Sequence, residues 1–193
     1  HQHLRQPLGD DLPGRLDAVL QAVYAAYSRD WAEAAEDTED RLSDEAIWLG
    51  QVVAELIPDQ AEVKGLLALM LFLDARRRAR SAADGSYVPL DEQDTDRWNL
   101  AQIRQAEALM KDANRMEGAG RFQIEAAIQS AHVARRLYGV DSRPDIVALY
   151  DVLFTLVPTP VVALNRLVAR SRLSGTDEVL DEIREIGADP RLV

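Results

Sequence analysis

Apolar residues recur at spacings of three and four along almost every segment of this chain, and almost no segment alternates apolar and polar residues with a period of two. The first spacing places apolar side chains on one face of an α-helix, whereas a period of two is typical of a strand. The first such segment runs from Leu16 to Tyr27 and follows Pro13, whose missing N–H would be unpaired in a first helical turn anyway. The pattern therefore predicts an all-α fold of about eight helices.

The third predicted helix, from about Ala61 to Arg80, contains the most hydrophobic tract of the chain. Every residue from Leu66 to Leu73 is apolar, so this helix has no polar face and is expected to lie at the centre of the fold. Four arginines fall in its predicted last turn, where the helix dipole favours positive charge: Arg76, Arg77, Arg78 and Arg80.

Local signals predict the starts and the buried faces of other helices. The second helix is expected to begin with Ser43 as its N-cap and to end at Pro58. The fourth is expected to begin at Thr95 or Asp96, and Thr176 is expected to cap the eighth. The predicted buried residues include Ala46, Leu49, Val53 and Leu56 in the second helix, and Phe122, Ala126, Ile128 and Val133 in the fifth.

A weak internal repeat suggests how the helices are arranged. The segment 55–58, which precedes a predicted helix, is echoed by 155–158, 100 residues later. That distance is close to three units of about 34 residues, the period of tetratricopeptide helix hairpins, which stack side by side to bury their apolar faces. The helices are therefore predicted to form antiparallel hairpins in a tetratricopeptide-like right-handed array, with an irregular helical bundle as the alternative.

Composition excludes several classes of function. The chain has no cysteine, which excludes a disulfide framework, a thiolate metal site and a thiol nucleophile. Its formal net charge of −11 argues against a nucleic-acid-binding surface, which needs clustered positive charge. Part of this charge lies in the acidic stretch 33–40, expected to be a loop or a solvated helix. Of three histidines only His132 lies away from the N-terminus, and it is interpreted as structural or solvent-facing.

Sequence motifs for catalysis are missing as well. No Gly-x-Ser-x-Gly elbow accompanies the serines, and no glycine-rich loop with a lysine precedes a helix. The segment 118–120 is interpreted as a helix connection. The chain is therefore predicted not to be an enzyme and to need no cofactor and no metal.

Residues 83–95 interrupt the helical pattern. Asp84 and Gly85 form a turn signal and Pro89 prevents a helix, so a long loop, partly extended, is predicted. Loops of this length are uncommon unless they are functional or disordered. Four acids follow the turn without the spacing of an EF-hand, so solvated charge is favoured over a calcium site: Asp91, Glu92, Asp94 and Asp96. We hypothesise that the arginines before the loop pair with these acids and pin the loop across the third helix.

The ends and the hydropathy of the chain complete this interpretation. Residues 1–11, which begin with His1 rather than methionine, are interpreted as a tag remnant or linker, and residues 12–193 as one helical domain. The longest apolar tract, from Gly65 to Leu73, is about half of the roughly 20 residues that a membrane span needs. No targeting segment is visible, and a cytoplasmic location is expected.

Several tracts, in this order and spacing, resemble one known family. Coverage extends from about Leu12 to Leu180. The tracts resemble the C-terminal extension of a group of extracytoplasmic-function (ECF) RNA polymerase sigma factors. They are Glu45–Ile47, Leu56–Asp59, Gly65–Leu71, Asp74–Arg77, Asp84–Gly85, Asp91–Asp94, Arg97–Trp98, Phe122–Ile128, Ala148–Asp151 and Pro160–Arg166.

This resemblance implies a helical, tetratricopeptide-like domain that follows the sigma domains which bind core polymerase and read the promoter. Those promoter-reading domains are not in this chain. The implied function is regulation of the sigma factor in transcription initiation. The implied partners are the factor's own domains, core RNA polymerase or an unknown regulatory protein, with no direct contact to DNA and no membrane.

The candidate interaction site is a switch loop from Asp84 to Trp98, held by the arginines that precede it. The residues assigned to it are Arg76, Arg77, Arg80, Asp84, Gly85, Asp91, Gln93, Asp94, Arg97 and Trp98. A second candidate is the pair Asn165 and Arg166. The alternative function is a small-molecule-sensing helical domain with an apolar pocket under the 84–98 loop.

Overall fold

The computed structural model describes residues 12–33, 42–116, 118–177 and 179–187. Within these ranges the chain forms eight α-helices and no β-strand, which confirms the all-α prediction. None of the helices in these ranges is both long enough and apolar enough to cross a membrane. The helices are α1 Leu12–Glu33, α2 Leu42–Leu56, α3 Ala61–Asp74, α4 Leu100–Ala113, α5 Arg121–Tyr138, α6 Arg143–Leu156, α7 Pro160–Ser174 and α8 Leu180–Gly187.

The chain divides into two compact units between Pro58 and Asp59. In the first unit α1 packs against α2. The predicted face of α1 is confirmed for Leu20, Val23 and Tyr27, which are buried, and wrong for Val19, which is 46% exposed. The acidic stretch that was expected to be a loop or solvated helix lies, apart from its first residue, outside the described residues.

The prediction for α2 was wrong in its details. Ser43, expected as the N-cap, lies inside the helix and is buried, because the helix already begins at Leu42. Leu49 and Leu56 are exposed, at 42% and 75%. Ala46 is buried as predicted, and the other residues that α2 buries are Ser43, Ile47 and Gly50. These residues also follow spacings of three and four, so periodicity alone could not distinguish the two faces.

The second unit is built around α3, which packs against both α4 and α5. Every residue from Leu66 to Phe72 is at most 3% exposed, so the prediction of a buried central helix is confirmed. The helix ends at Asp74, earlier than expected, and a short 3₁₀ helix follows at Arg77–Ala79. The carbonyl oxygen of Ala75 accepts a hydrogen bond from the backbone N–H of Asn99 at 2.8 Å. Its hydrogen-bond partner is therefore a residue 24 positions later in the sequence and not a further turn of the helix.

Helix α4 begins later than predicted, at Leu100. The side chain of Asn99 caps it, with its oxygen accepting hydrogen bonds from the N–H groups of Ala101 and Gln102 at 3.1 and 3.2 Å. The expected start at Thr95 or Asp96 instead forms a 3₁₀ turn, Thr95–Arg97, and Trp98 is extended. The true cap lies after the tryptophan, so Trp98 belongs to the loop.

Helices α5 to α8 pack in sequence order, each on the next. The predicted buried face of α5 is confirmed, because all four residues named for it are buried. The prediction that Thr176 caps α8 was wrong, because α8 begins at Leu180. The carbonyl oxygen of Thr176 instead accepts a hydrogen bond from the N–H of Val179, a fully buried residue. Packing of each helix on its chain neighbours is the arrangement that a stacked array of helices requires.

A carboxylate from α3 caps the start of α5. Glu62 accepts a hydrogen bond from the backbone N–H of Phe122 and another from that of Gln123, both at 3.0 Å. Gly120 makes room for this contact, since a Cβ atom there would lie 2.2 Å from the Glu62 side chain. The N–H groups at the start of α5, which have no partner inside the helix, are thus satisfied by a charged side chain from a different helix.

Replacing Glu62 with glutamine is expected to lower the free energy of unfolding by about 1–3 kcal/mol. The amide has one acceptor oxygen, so one of the two N–H groups loses its partner, and the negative charge at the helix N-terminus is lost too. Urea unfolding followed by circular dichroism measures the change. The matched control is Glu107→Gln on α4, for which no change is expected; equal effects of the two substitutions would contradict the cap.

Candidate functional site

The 84–98 loop is closed at its base. The hydrogen bond from the Asn99 N–H to the Ala75 oxygen joins the chain before the loop to the chain after it. Arg76 reinforces this closure: its side chain is only 6% exposed, and its guanidinium lies 5.8 Å from the centre of the Trp98 ring. It also donates to the Phe72 carbonyl oxygen at 3.2 Å and to Gln129 Oε1 at 2.5 Å. Arg76 therefore ties α3, α5 and the end of the loop together.

The tip of the loop is an exposed turn. Asp84 Oδ1 accepts hydrogen bonds from the N–H and the hydroxyl of Ser86, at 3.0 and 2.6 Å, and these bonds hold the pKa of Asp84 below its ordinary value. Gly85 has a φ of +82°, a conformation that side-chain-bearing residues rarely adopt. Tyr87, 66% exposed, has its ring 5.7 Å from the Arg80 guanidinium. The predicted Asp-Gly turn is thus present and solvent-facing.

The middle of the loop is held by Gln93 and Asp91. Gln93 is buried, its side chain donates to the Val88 carbonyl oxygen at 3.2 Å, and its own carbonyl oxygen accepts from Arg136 of α5 at 2.7 Å. Three further contacts in and beside the loop either join residues close in sequence or are long hydrogen bonds. Asp94 accepts from the N–H of Asp96, Arg97 donates to the Ser81 carbonyl oxygen at 3.4 Å, and Arg77 pairs with Asp74 at 2.8 Å.

Asp91 forms ion pairs with two arginines of other helices. It contacts Arg135 of α5, and Arg172 of α7 at 3.3 Å. Burial raises the pKa of Asp91, but the hydrogen bond and charge of Arg135 and the charge of Arg172 outweigh this, so the pKa lies below its ordinary value. The hypothesis paired the loop acids with the arginines that precede the loop, and for Asp91 this was wrong: its partners are Arg135 and Arg172, on helices that follow the loop in the chain.

A cleft of about 530 Å³ lies under the first half of the loop, between α5, α6 and α7. Its apolar lining includes Leu90, Ile146 and Val168. The alternative function predicted an apolar pocket at this place; the cleft has slightly more apolar than polar lining surface, and helices α5 and α7 also contribute charged side chains to it. The polar lining includes Asp91, His132, Arg135, Arg143, Tyr150 and Arg172.

Two titratable groups of the cleft, His132 and Tyr150, are held uncharged by their surroundings. Burial, with the positive charges of Arg76, Arg135 and Arg172, lowers the pKa of His132 to about 4. The Nδ1 atom of His132 is buried and has no hydrogen-bond partner among the described residues. Burial, with the charge of Glu125, raises the pKa of Tyr150. Both groups are therefore neutral near pH 7, and the charge of the cleft comes from arginine and aspartate.

The two residues of the second candidate site, Asn165 and Arg166, lie in different surroundings. Asn165 lines the same cleft as Asp91 of the first candidate. Arg166 instead pairs with Asp151 of α6 at 2.5 Å and lies over the ring of Phe154, 5.5 Å from its centre. Sequence reasoning missed the arginines of α5 and α7 and assigned no site role to His132. The spacing of His132, Arg135 and Arg136 on one helix was a signal that could have indicated a polar face.

Among the described residues, no group of three or more His, Asp or Glu side chains is placed to hold a metal ion.

Comparison with known proteins gives a family of unknown function. The model of the family described as DUF6596, a family of unknown function, matches residues 15–114, just over half of the chain. An uncharacterized protein of Rhizobium meliloti (strain 1021) is 35% identical over 179 residues, which are 92% of this chain and 42% of that protein. The chain thus spans less than half the length of this relative. No solved structure matches.

Proposed function

This chain belongs to the DUF6596 family, whose function is unknown, and we propose that it is a regulatory protein-interaction domain of an ECF RNA polymerase sigma factor. In this proposal the domain acts in transcription initiation, in the cytoplasm, by contacting the sigma domains, core polymerase or a signalling partner through the tip of the 84–98 loop. The assignment to sigma factors rests on the resemblance of the tracts quoted above.

The observation that carries the proposal is an exposed tip on a loop that is fixed elsewhere. Asp84, Gly85, Ser86 and Tyr87 are exposed, whereas Gln93 and Trp98 of the same loop are at most 4% exposed. A binding segment that is positioned before it meets its partner loses less conformational freedom on binding. An exposed aromatic residue such as Tyr87 is also typical of residues that contribute strongly to protein interfaces.

Several tracts that carry the resemblance shape this loop rather than line a catalytic site. Arg76 lies in the tract 74–77, Gln93 in the tract 91–94, and Trp98 in the tract 97–98. Each is buried and contributes to the loop's attachment. The net charge of −11 favours a protein partner with a basic surface over direct contact with DNA.

A capture experiment tests the proposal. The immobilised chain is offered the promoter-reading and polymerase-binding domains of the source organism's sigma factors, with and without core RNA polymerase. We expect capture by the wild type and a roughly tenfold loss with Tyr87→Ala, the size of effect seen for exposed aromatic residues at the centre of an interface. The matched control is Tyr138→Ala, because Tyr138 is 63% exposed at the end of α5; its capture should equal that of the wild type.

Two results would contradict the proposal. Failure to capture any of these proteins would overturn the interaction itself. Capture that is equally strong with Tyr87→Ala would show that the tip is not the contact surface. The circular dichroism of each variant must match the wild type, so that loss of capture is not loss of folding.

Attachment of the loop by Arg76 gives a separate prediction. Arg76→Met keeps the apolar stem but removes the hydrogen bonds to Phe72 and Gln129 and the contact with Trp98. We expect chymotrypsin to cleave after Tyr87 roughly tenfold faster in this variant. The reason is that losing these contacts lowers the free energy needed to open the loop locally by about 1.4 kcal/mol, which corresponds to a roughly tenfold larger open population. The control is Arg78→Met, two residues further along the chain, because Arg78 is exposed. Equal cleavage rates in both variants would sink the role given to Arg76.

A further inference from the structure

The cleft under the 84–98 loop is cationic in a strongly acidic protein. Three of its lining residues are arginines and only one, Asp91, carries a carboxylate. The whole chain carries a formal net charge of −11. A group of guanidinium side chains in a concave site attracts anions, and arginine binds carboxylate and phosphate through two parallel hydrogen bonds.

Asp91 is an internal anion in this cleft. It is shared between Arg135 and Arg172, which belong to two different helices and are not neighbours in sequence. The side chains are partly open to solvent, with 40% exposure for Asp91, 25% for Arg135 and 50% for Arg172. Ion pairs with this exposure contribute little, roughly fivefold in an equilibrium constant at most. An anion from solution can therefore compete with Asp91 for the two arginines.

The third arginine has its own partner at the mouth of the cleft. Arg143 donates two hydrogen bonds to Asp141, at 2.8 and 2.9 Å, and these bonds lower the pKa of Asp141 to about 2. Arg143 therefore adds a weaker attraction than Arg135 and Arg172. Beside the two main arginines lie Tyr150, Asn165 and the apolar side chains of Ile146 and Val168.

We propose that this cleft binds a small organic anion, a carboxylate or phosphate carried on an apolar body, which takes the place of Asp91 on Arg135 and Arg172. The anionic group contacts the two guanidinium groups, and the apolar body lies against Ile146 and Val168. His132 and Tyr150 add neutral polar surface. The two arginines that hold the anion belong to α5 and α7 and not to the loop, so this site does not depend on the protein-interaction proposal, although Tyr87 also lines the cleft.

Three small probes test the site: phenyl phosphate, benzoate and, as the uncharged control, benzyl alcohol. Binding to the full chain is measured by calorimetry at low salt. We expect one or both anions to bind with a Kd of about 1 mM, in keeping with a ligand of about ten heavy atoms, and benzyl alcohol to bind at least roughly tenfold more weakly. Comparison of the two anions shows whether the cleft prefers phosphate or carboxylate.

Variants identify the cleft as the place of binding. Arg172→Gln is expected to weaken binding of the anion roughly tenfold or more, because charged hydrogen bonds to it are lost. Arg170→Gln is the matched control on the same helix: Arg170 pairs with Glu182 and does not line the cleft, so binding should not change. Asp91→Asn is expected to tighten binding by up to roughly fivefold, because it removes the internal competitor.

Two results would overturn the inference. One is that neither anion binds the wild type or Asp91→Asn at 10 mM. The other is that an anion binds equally well to wild type, Arg172→Gln and Arg170→Gln, which would place its binding elsewhere. A thermal melt of each variant without probe checks that the fold is retained, and Asp91→Asn provides a gain of binding that misfolding cannot imitate.

Discussion

Replacing Gly65 with alanine is expected to lower the free energy of unfolding of the second unit by about 2–3 kcal/mol. A Cβ atom at this position would lie 2.6 Å from the backbone nitrogen of Gln123 and 2.8 Å from its Cα. These atoms belong to the backbone of α5 and cannot rotate away, so α3 and α5 must separate. Separation also disturbs the hydrogen bonds from the start of α5 to Glu62. The better helix propensity of alanine, about 1 kcal/mol, offsets only part of this cost.

Urea unfolding measured by circular dichroism gives the change for Gly65→Ala. The control is Gly14→Ala in α1, where a Cβ atom would meet nothing within 4 Å. That substitution should leave stability unchanged or raise it by up to about 1 kcal/mol. If Gly65→Ala were as stable as Gly14→Ala, the close approach of α3 to α5 would be refuted.

Acidification from pH 6.5 to pH 4 is expected to destabilise the fold through His132. The pKa of His132 is about 4 in the folded chain and about 6.5 for an ordinary histidine, so over this range the unfolded chain binds a proton that the folded chain excludes. The stabilising contribution is therefore present above pH 6.5 and lost as the pH falls through this window. The full difference corresponds to about 3 kcal/mol below pH 4.

The comparison of wild type with His132→Gln isolates this effect, because glutamine does not titrate and all other groups remain in both proteins. The free energy of unfolding is measured at pH 7, 5.5 and 4. We expect the wild type to lose about 2–3 kcal/mol more than the variant between pH 7 and pH 4. The same pH dependence in both proteins would show that His132 is protonated without cost in the folded state. Asp91 opposes the shift, so Asp91→Asn should lower the His132 pKa further.

How much of this fold could be predicted depended on how local each determinant is. The buried tract Leu66–Phe72 and the buried face of α5 are properties of short segments, and both predictions are confirmed. The end of α3 depends instead on Asn99, whose N–H takes the Ala75 carbonyl oxygen from far along the chain. The buried face of α2 depends on its packing with α1, which periodicity does not contain.

The candidate site shows the same limit. Asp91 and Asn165 were both named from sequence, but as members of separate candidates. They line one cleft because α5, α6 and α7 pack in order, bringing Arg135 and Arg172 to either side of the loop's carboxylate. The exposed Asp-Gly turn was predictable, because its geometry follows from four adjacent residues. The partners of the loop were not, because they come from helices that follow it in the chain.

Closure of the loop at its base has a consequence for how this domain can diverge and be engineered. The hydrogen bond between the Asn99 N–H and the Ala75 oxygen, with Arg76 against Trp98, keeps the two stems together whatever the intervening length. The entropy of closing a chain grows only with the logarithm of its length, about 0.6 kcal/mol for each doubling. Residues inserted between Asp84 and Gly85 thus lengthen the exposed turn while leaving the helical scaffold in place. This position can accept a peptide epitope or a fluorescent label, and related chains can vary there at little cost to stability.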